Sequence, residues 1–378
     1  MSQLDDHDES RSRQRGAHET RAPHFHDGAR KDGVRMSLST REELQAAASK
    51  LPDRLRAVLS SALSVDAASI TVQNLRLLKQ SSARVTWKFE AATSYGRSEL
   101  ILNMNVGERN PVRANAEFQA GAQVAASTRG VPVPRMIAAS NAAEILGYPF
   151  VISELARGKT YYDDVSPGLD AADAQGGRRR LLRQCAQALV RIHQVEIDDR
   201  ESLRQDRLAI YREAFDALGH TTPTIEWAFR WLAAHQPPPA PAVLVHGDFQ
   251  LQNLLVDGSR LVAVIDWEWV HVGDAYEDLA WFCHRAWRRG APRSMGAGGL
   301  GSIEEFLRCY EEAGGEKIDR TRFHWWRVMA VLLGGMTNMA YARDYLVGKG
   351  PMVKSAISSR QLCEAEWELL NLMDEAGH

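Results

Sequence analysis

No run of about eighteen apolar residues occurs in the chain, and its N-terminus has no apolar core of the kind a secretory leader needs. On that basis the protein is expected to be soluble and cytoplasmic, with no membrane partner. Positive charge is not in excess either. Lys and Arg number 46 against 48 Asp and Glu, a formal charge of -2, and so weak a balance argues against nucleic acid as the main partner. Cysteine is scarce: Cys185, Cys283, Cys309 and Cys363 stand far apart in helical or apolar contexts, which excludes a zinc pattern or a disulfide framework and leaves buried thiols as the simplest reading. Apolar residues are nearly missing from the first 34 positions, where Asp, Arg, His, Ser and Gly dominate. Such a segment cannot offset its ordering entropy, so residues 1–38 are expected to form a disordered tail, with His7, His18, His24 and His26 solvated.

What the chain does contain is enough apolar sequence, 44% of 378 residues, to fill two cores. Its organising stretch runs from Val243 to Asp278. Val243-Leu244-Val245 reads as a short buried strand that delivers His246-Gly247-Asp248 onto a loop ending at Asn253. Leu254-Leu255-Val256 and Leu261 to Ile265 are two further strands around Asp257-Gly258, a dipeptide suited to a hairpin turn. That hairpin carries Asp266 back beside Asn253. One carboxamide oxygen and one carboxylate suit Mg²⁺, which takes hard oxygen ligands and borrows the rest from phosphates and water. Asp248 is then left to orient a hydroxyl. This division of labour fits phosphoryl transfer, where catalysis is mostly metal, positioning and a carboxylate that accepts a proton late.

The spacing H-G-D-x4-N, followed by a D-G hairpin ending in I-D-W, resembles the catalytic loop of the aminoglycoside phosphotransferase and choline kinase family, a branch of the protein-kinase-like fold. The phrases DWEWVHVGDAYEDLAWF and CEAEWELL are similar to a broad bacterial subgroup of that family. The resemblance implies an α+β, bilobal architecture with a small antiparallel N-lobe, residues 39–154, and a larger, mainly helical C-lobe, residues 155–378. It implies ATP or GTP as co-substrate, Mg²⁺ held by Asn253 and Asp266, and Asp248 as the residue that aligns and deprotonates the acceptor, with His246 bracing the loop.

In the first lobe, a helix is expected from Thr40 up to an interruption at Pro52. Strands follow at Ile70–Leu78, at residues 84–90 where Val85, Trp87 and Phe89 alternate with polar residues, and at Glu99–Val106. After a helix at Ala114–Ser127 and a strand at Pro149–Ser153 comes the connector Glu154-Leu155-Ala156, whose backbone the resemblance places against adenine. The loop containing Ser81 and Ser82 sits where the family covers the phosphates, but it has no glycine. Glu117 reads either as a solvated helix carboxylate or as the family's helix glutamate. Asn103 stands where the family has Lys or Arg meeting that glutamate and the phosphates, and an amide brings no charge. Lys88 is the first candidate for the missing cation, with Arg113 the second.

The second lobe is read as helical from about Arg178, with Leu181, Leu182, Cys185, Leu189 and Ile192 on one face. His193 reads as packed, Asp274 and Asp278 as braces of the loop, and Arg288–Gly301 as a mobile loop near the cleft. Trp267, Trp269 and Trp287 flank the motif and are candidates to wall an apolar or cationic acceptor. The expected function is transfer of the γ-phosphoryl group to a hydroxyl of a small molecule, such as an antibiotic, amino alcohol or sugar. A nucleotide-binding pseudokinase, motivated by Asn103, and a kinase acting on a peptide or biosynthetic intermediate are the alternatives.

Overall fold

The computed structural model describes residues 41–375 apart from 81–82, 108–111, 161–168, 171–172, 174, 289 and 349–351. The expected tail and the calls on Ser81 and Ser82 therefore lie outside the described residues.

The first elements are helix α1 (Arg41–Leu63), strands β1 (Thr71–Gln80), β2 (Arg84–Thr93) and β3 (Gly96–Asn105), helix α2 (Ala116–Thr128), strand β4 (Met136–Ser140), the short helix α3 (Ala143–Leu146) and strand β5 (Phe150–Glu154). The strands form one antiparallel sheet in the order β1-β2-β3-β5-β4. On β2 the alternation of the sequence is the alternation of the sheet. Val85, Trp87 and Phe89 are buried in the lobe's own core, and Arg84, Thr86 and Lys88 share the opposite, half-buried face. The interruption expected at Pro52 is absent, because α1 runs through it. Leu51, Leu55 and Leu59 recur every fourth residue and are buried in the core. Burying three leucines stabilises by roughly 1.5–3 kcal/mol each, which outweighs the ~3 kcal/mol cost of an interior proline.

The second lobe comprises β6 (Lys159–Thr160), α4 (Gly177–His193), α5 (Arg207–Asp216), α6 (Pro223–Ala234), β7 (Val243–Val245), β8 (Leu254–Asp257), β9 (Arg260–Val264), β10 (His271–Gly273), α7 (Ala275–Phe282), α8 (Ile303–Glu312), α9 (Arg320–Leu346), α10 (Met352–Arg360) and α11 (Leu362–Glu375). Its core is centred on α4, whose Leu181, Leu182, Cys185, Leu189 and Ile192 are fully buried as the helical period requires. Ala122 and Ala126 of α2 join this larger core. Two small sheets frame the motif, β7 paired with β10 and β6-β8-β9. The turn between β8 and β9 is at Asp257-Gly258, with Gly258 at φ +59°.

Part of the segment expected as a mobile loop, residues 296–301, is buried. Gly298 has φ +56°, and a Cβ there would stand 2.8 Å from the Phe282 ring, so this glycine permits close packing. Among the described residues no helix is long and apolar enough to cross a membrane.

Candidate active site

Strand β7 ends at Val245, and the backbone then turns sharply. Gly247 has φ +79°, and a Cβ on it would lie 2.4 Å from the carbonyl oxygen of Trp269, so only glycine fits. The turn is held from beneath by Asp278, a fully buried carboxylate on α7. Its Oδ2 accepts from the His246 N–H (2.8 Å) and its Oδ1 from the Gly247 N–H (2.9 Å). His193 Nε2 meets the same carboxylate at 3.2 Å, while its Nδ1 lies 2.8 Å from the Tyr310 hydroxyl, so His193 is packed beneath the loop. His246 is also a brace. Its Nδ1 accepts from the Asp248 N–H (3.2 Å), and its Nε2 lies 3.2 Å from the Ile265 carbonyl, to which it donates. Burial pushes its pKa down and keeps the ring neutral, as that tautomer needs.

The Asp248 carboxylate that this backbone presents is oriented by three donors. Trp281 Nε1 and Gln250 Nε2 each donate to Oδ1 at 2.8 Å, and Asn253 Nδ2 donates to Oδ2 at 2.6 Å. Burial pushes this carboxyl up to about 7, against the pull of those donors. Asn253 Nδ2 also donates to the Asp248 carbonyl (2.9 Å), which leaves the carboxamide oxygen on the other arm of the amide. The Ile265 N–H donates to the Asn253 carbonyl (2.9 Å) and so ties the loop to the strand leading to Asp266.

Asp266 sits in the left-handed region at φ +66°. Its Oδ1 receives Arg84 Nη1 at 2.5 Å, and Arg84 Nη2 lies 2.6 Å from Glu268 Oε2. Arg113 Nη1 reaches the same Glu268 oxygen at 3.1 Å, and its guanidinium lies over the Trp269 ring, 4.9 Å from the centroid. Burial alone would raise the Asp266 carboxyl, but the Arg84 charge overrides it and holds the pKa below the ordinary carboxylate value.

The other expected positions are spread along the sheet and α2. Lys88 is ion-paired with Glu99 of β3, which Arg157 also approaches at 3.3 Å. Asn103 Oδ1 accepts from the Thr86 hydroxyl at 2.7 Å. Glu117, exposed in the first turn of α2, accepts from the Asn141 N–H at 3.1 Å. In the connector, the Glu154 N–H donates to the Arg135 carbonyl and the Leu155 N–H to the Glu99 carbonyl, both at 2.9 Å, and Ala156 follows directly. Asp274 caps α7 and pairs with Arg322 at 2.9 Å, in keeping with a structural role.

A model of the phosphotransferase enzyme family matches residues 79–324, well over half of the chain. The chain belongs to this phosphotransferase family. The chain is 29% identical over 234 residues to acyl-CoA dehydrogenase family member 10 of Mus musculus, a match covering 56% of this chain and 22% of that protein. It is 25% identical over 241 residues to acyl-CoA dehydrogenase family member 11 of Homo sapiens, covering 58% of this chain and 30% of that one. It therefore spans less than a third of the length of these curated relatives. Among solved structures it resembles a protein from Ralstonia eutropha JMP134 assigned as an aminoglycoside phosphotransferase, with TM-score 0.64, 16% identity, and coverage of 85% of this chain and 98% of that one. It also resembles the amicoumacin kinase hAmiN in complex with AMP-PNP, Ca²⁺ and Ami, with TM-score 0.60, 14% identity, and coverage of 87% and 96%. A thermostable mutant of the aminoglycoside phosphotransferase APH(4)-Ia, in ternary complex with AMP-PNP and hygromycin B, matches at TM-score 0.54 and 16% identity over 81% and 95% of the two chains. At such identities the likeness establishes the bilobal, kinase-like α+β fold.

Two residues of this candidate site escaped sequence reasoning. Trp281 lies on α7, 33 residues beyond Asp248, and nothing in its local pattern marks its indole as a donor to that carboxylate. Arg84 carried a usable signal, since the alternation that turns Lys88 away from the lobe's core puts Arg84 on the same face, next to the loop expected over the phosphates. Among the described residues no group of three or more His, Cys, Asp or Glu is placed to hold a metal ion. Asp266 and the Asn253 carboxamide oxygen could still hold Mg²⁺, which commonly takes only one or two protein ligands beside phosphates and water.

Proposed function

We propose that the protein moves the γ-phosphoryl group of ATP or GTP onto a hydroxyl of a small molecule. The observation that carries this reading is the Asp248 carboxylate, locked by Trp281, Gln250 and Asn253 on a loop pinned by Asp278 and adjoining Asp266. Asp248 accepts a hydrogen bond from the acceptor hydroxyl and so aims its oxygen at the γ-phosphorus. As the new P–O bond forms and the bond to the β-phosphate bridging oxygen breaks, the hydroxyl proton passes to Asp248 and ADP or GDP leaves. A carboxyl raised to about 7 by burial suits that late transfer at neutral pH. Asn253 and Asp266 would hold Mg²⁺, which when bound neutralises charge on the β- and γ-phosphate oxygens. The backbone at Glu154 and Ala156 would receive adenine.

A small depression beside Gly247, with room for about one water, is lined by Trp281, Trp326, Met329, Ala330 and Leu333 together with Tyr211 and Glu277, and gives one side of the site an apolar wall. Those residues, not Trp267, Trp269 and Trp287 alone, are the candidate walls. That wall favours an acceptor whose hydroxyl is borne beside an apolar portion. The roles are tested by a pair of variants. Asp248→Ala should retain Mg²⁺-dependent ATP binding by calorimetry and lose transfer, whereas Asp266→Ala should lose the Mg²⁺-dependent part of binding itself. Unchanged Mg·ATP affinity in the Asp266 variant would refute the metal assignment.

A further inference from the structure

The sheet face that looks onto the site carries Arg84, Thr86 and Lys88 of β2 and Asn103 of β3. A phosphotransferase needs a cation near the transferring phosphates, because the charge gathering there must be offset by groups already in place. Asn103 cannot be that cation, and its amide oxygen is engaged by Thr86. Lys88 is four residues along β2 from Arg84, about 13 Å at the rise of an extended strand, and its ammonium is paired with Glu99. Arg113 is held between Glu268 and the face of Trp269. Lys79, exposed at the end of β1, adds its charge to the field at Asp266 from further out. Arg84 differs from all of these, because it directly follows the loop expected over the phosphates and already touches the carboxylate proposed to hold the metal.

We propose, resting on the phosphotransferase reading above, that Arg84 is the phosphate-binding cation of this enzyme, exchanging its Asp266 bond for nucleotide phosphate oxygens while Glu268 keeps hold of the guanidinium. The geometry suits such an exchange. Arg84 Nη1 meets Asp266 and Nη2 meets Glu268, so one arm can be given up while the other stays anchored. The planar fork is preorganised for phosphate as it is for carboxylate. The four charges of the cluster, Arg84, Arg113, Asp266 and Glu268, sum to zero. When a divalent cation claims Asp266, the Arg84 Nη1 arm exchanges that carboxylate for phosphate oxygens while Nη2 stays on Glu268.

The experiment is calorimetric titration of wild type, Arg84→Ala and Arg84→Lys with adenosine, ADP and ATP in the presence of Mg²⁺. The inference expects Arg84→Ala to weaken ATP and ADP at least tenfold and to leave adenosine within twofold, with Arg84→Lys in between because it retains charge without the fork. A residue that merely strapped the lobes together would change all three ligands alike, and that result overturns the inference. So does unchanged ATP affinity in Arg84→Ala with normal binding by wild type, an outcome that leaves the phosphotransferase reading standing. Failure of wild type itself to bind ATP or ADP would instead remove that reading and this inference with it. Arg84→Lys guards against misfolding of the alanine variant, since its thermal melt and its adenosine affinity should match wild type.

Discussion

The indole of Trp281 is the least conspicuous member of the site and one of the most specific. It contributes one N–H to Asp248 Oδ1 and cannot accept in return, so with Gln250 it holds that oxygen in place while Asn253 holds Oδ2. A hydrogen bond to a charged group is worth about 1.5–3 kcal/mol. Trp281→Phe keeps most of the ring's packing and deletes only that donor, so kcat should fall by roughly tenfold while the affinity for Mg·ATP changes less than about twofold. Steady-state kinetics together with calorimetry would show this split. An equal loss in both quantities would mean that the tryptophan shapes the nucleotide site and not the Asp248 rotamer.

At the scale of elements, helix α7 acts as a support on which the loop from His246 to Asn253 is hung. Asp274 caps its N-terminus, while Asp278 one turn further receives two successive N–H groups from the turn at His246-Gly247. A carboxylate can accept on both oxygens, whereas an asparagine offers one oxygen and turns an NH₂ towards an N–H. Asp278→Asn therefore leaves a buried donor facing a donor, a defect expected to cost about 3 kcal/mol or more. Chemical denaturation should show this loss, and transfer should fall further than stability does, because the displaced segment carries Asp248. If the variant keeps wild-type activity at wild-type stability, the turn is held by its glycine geometry alone.

For the molecule as a whole, the buried set Arg207, Tyr211, His271 and Glu277 links α5, β10 and α7 beneath the site. Arg207 Nε lies 3.1 Å from Glu277 Oε1, and His271 Nε2 lies 3.0 Å from Oε2. Burial disfavours the ionised Glu277, yet Arg207 and His271 overcome this and depress its pKa to about 2. A carboxyl whose pKa is lower folded than unfolded contributes stability that is complete above the unfolded value, ~4.5, and is lost as pH falls through about 2. The shift corresponds to a contribution on the order of 3 kcal/mol. Wild type should thus lose stability relative to Glu277→Gln as pH falls from ~4.5 to ~2. Denaturant midpoints measured across that range decide it, and parallel curves throughout would rule out Glu277 as the source.

The loop after β7, the hairpin that follows it and the alternation on β2 were legible in the sequence, because each depends on neighbours within about ten residues: apolar periods, a D-G turn, and a glycine where the backbone needs positive φ. The family motif added the lobes and the proposed roles of Asp248, Asn253 and Asp266. Local rules failed where distant burial outweighed them, at Pro52, where three leucines keep the helix intact, and at residues 296–301, where glycines pack into a core. The partners of the site were not legible at all. Arg84 with Asp266 and Trp281 with Asp248 join residues 182 and 33 positions apart. Which cation faces the site was therefore decided by the strand face and the closeness of the two lobes, since side-chain charge is written in the sequence but the distance between charges is set only when the chain has folded.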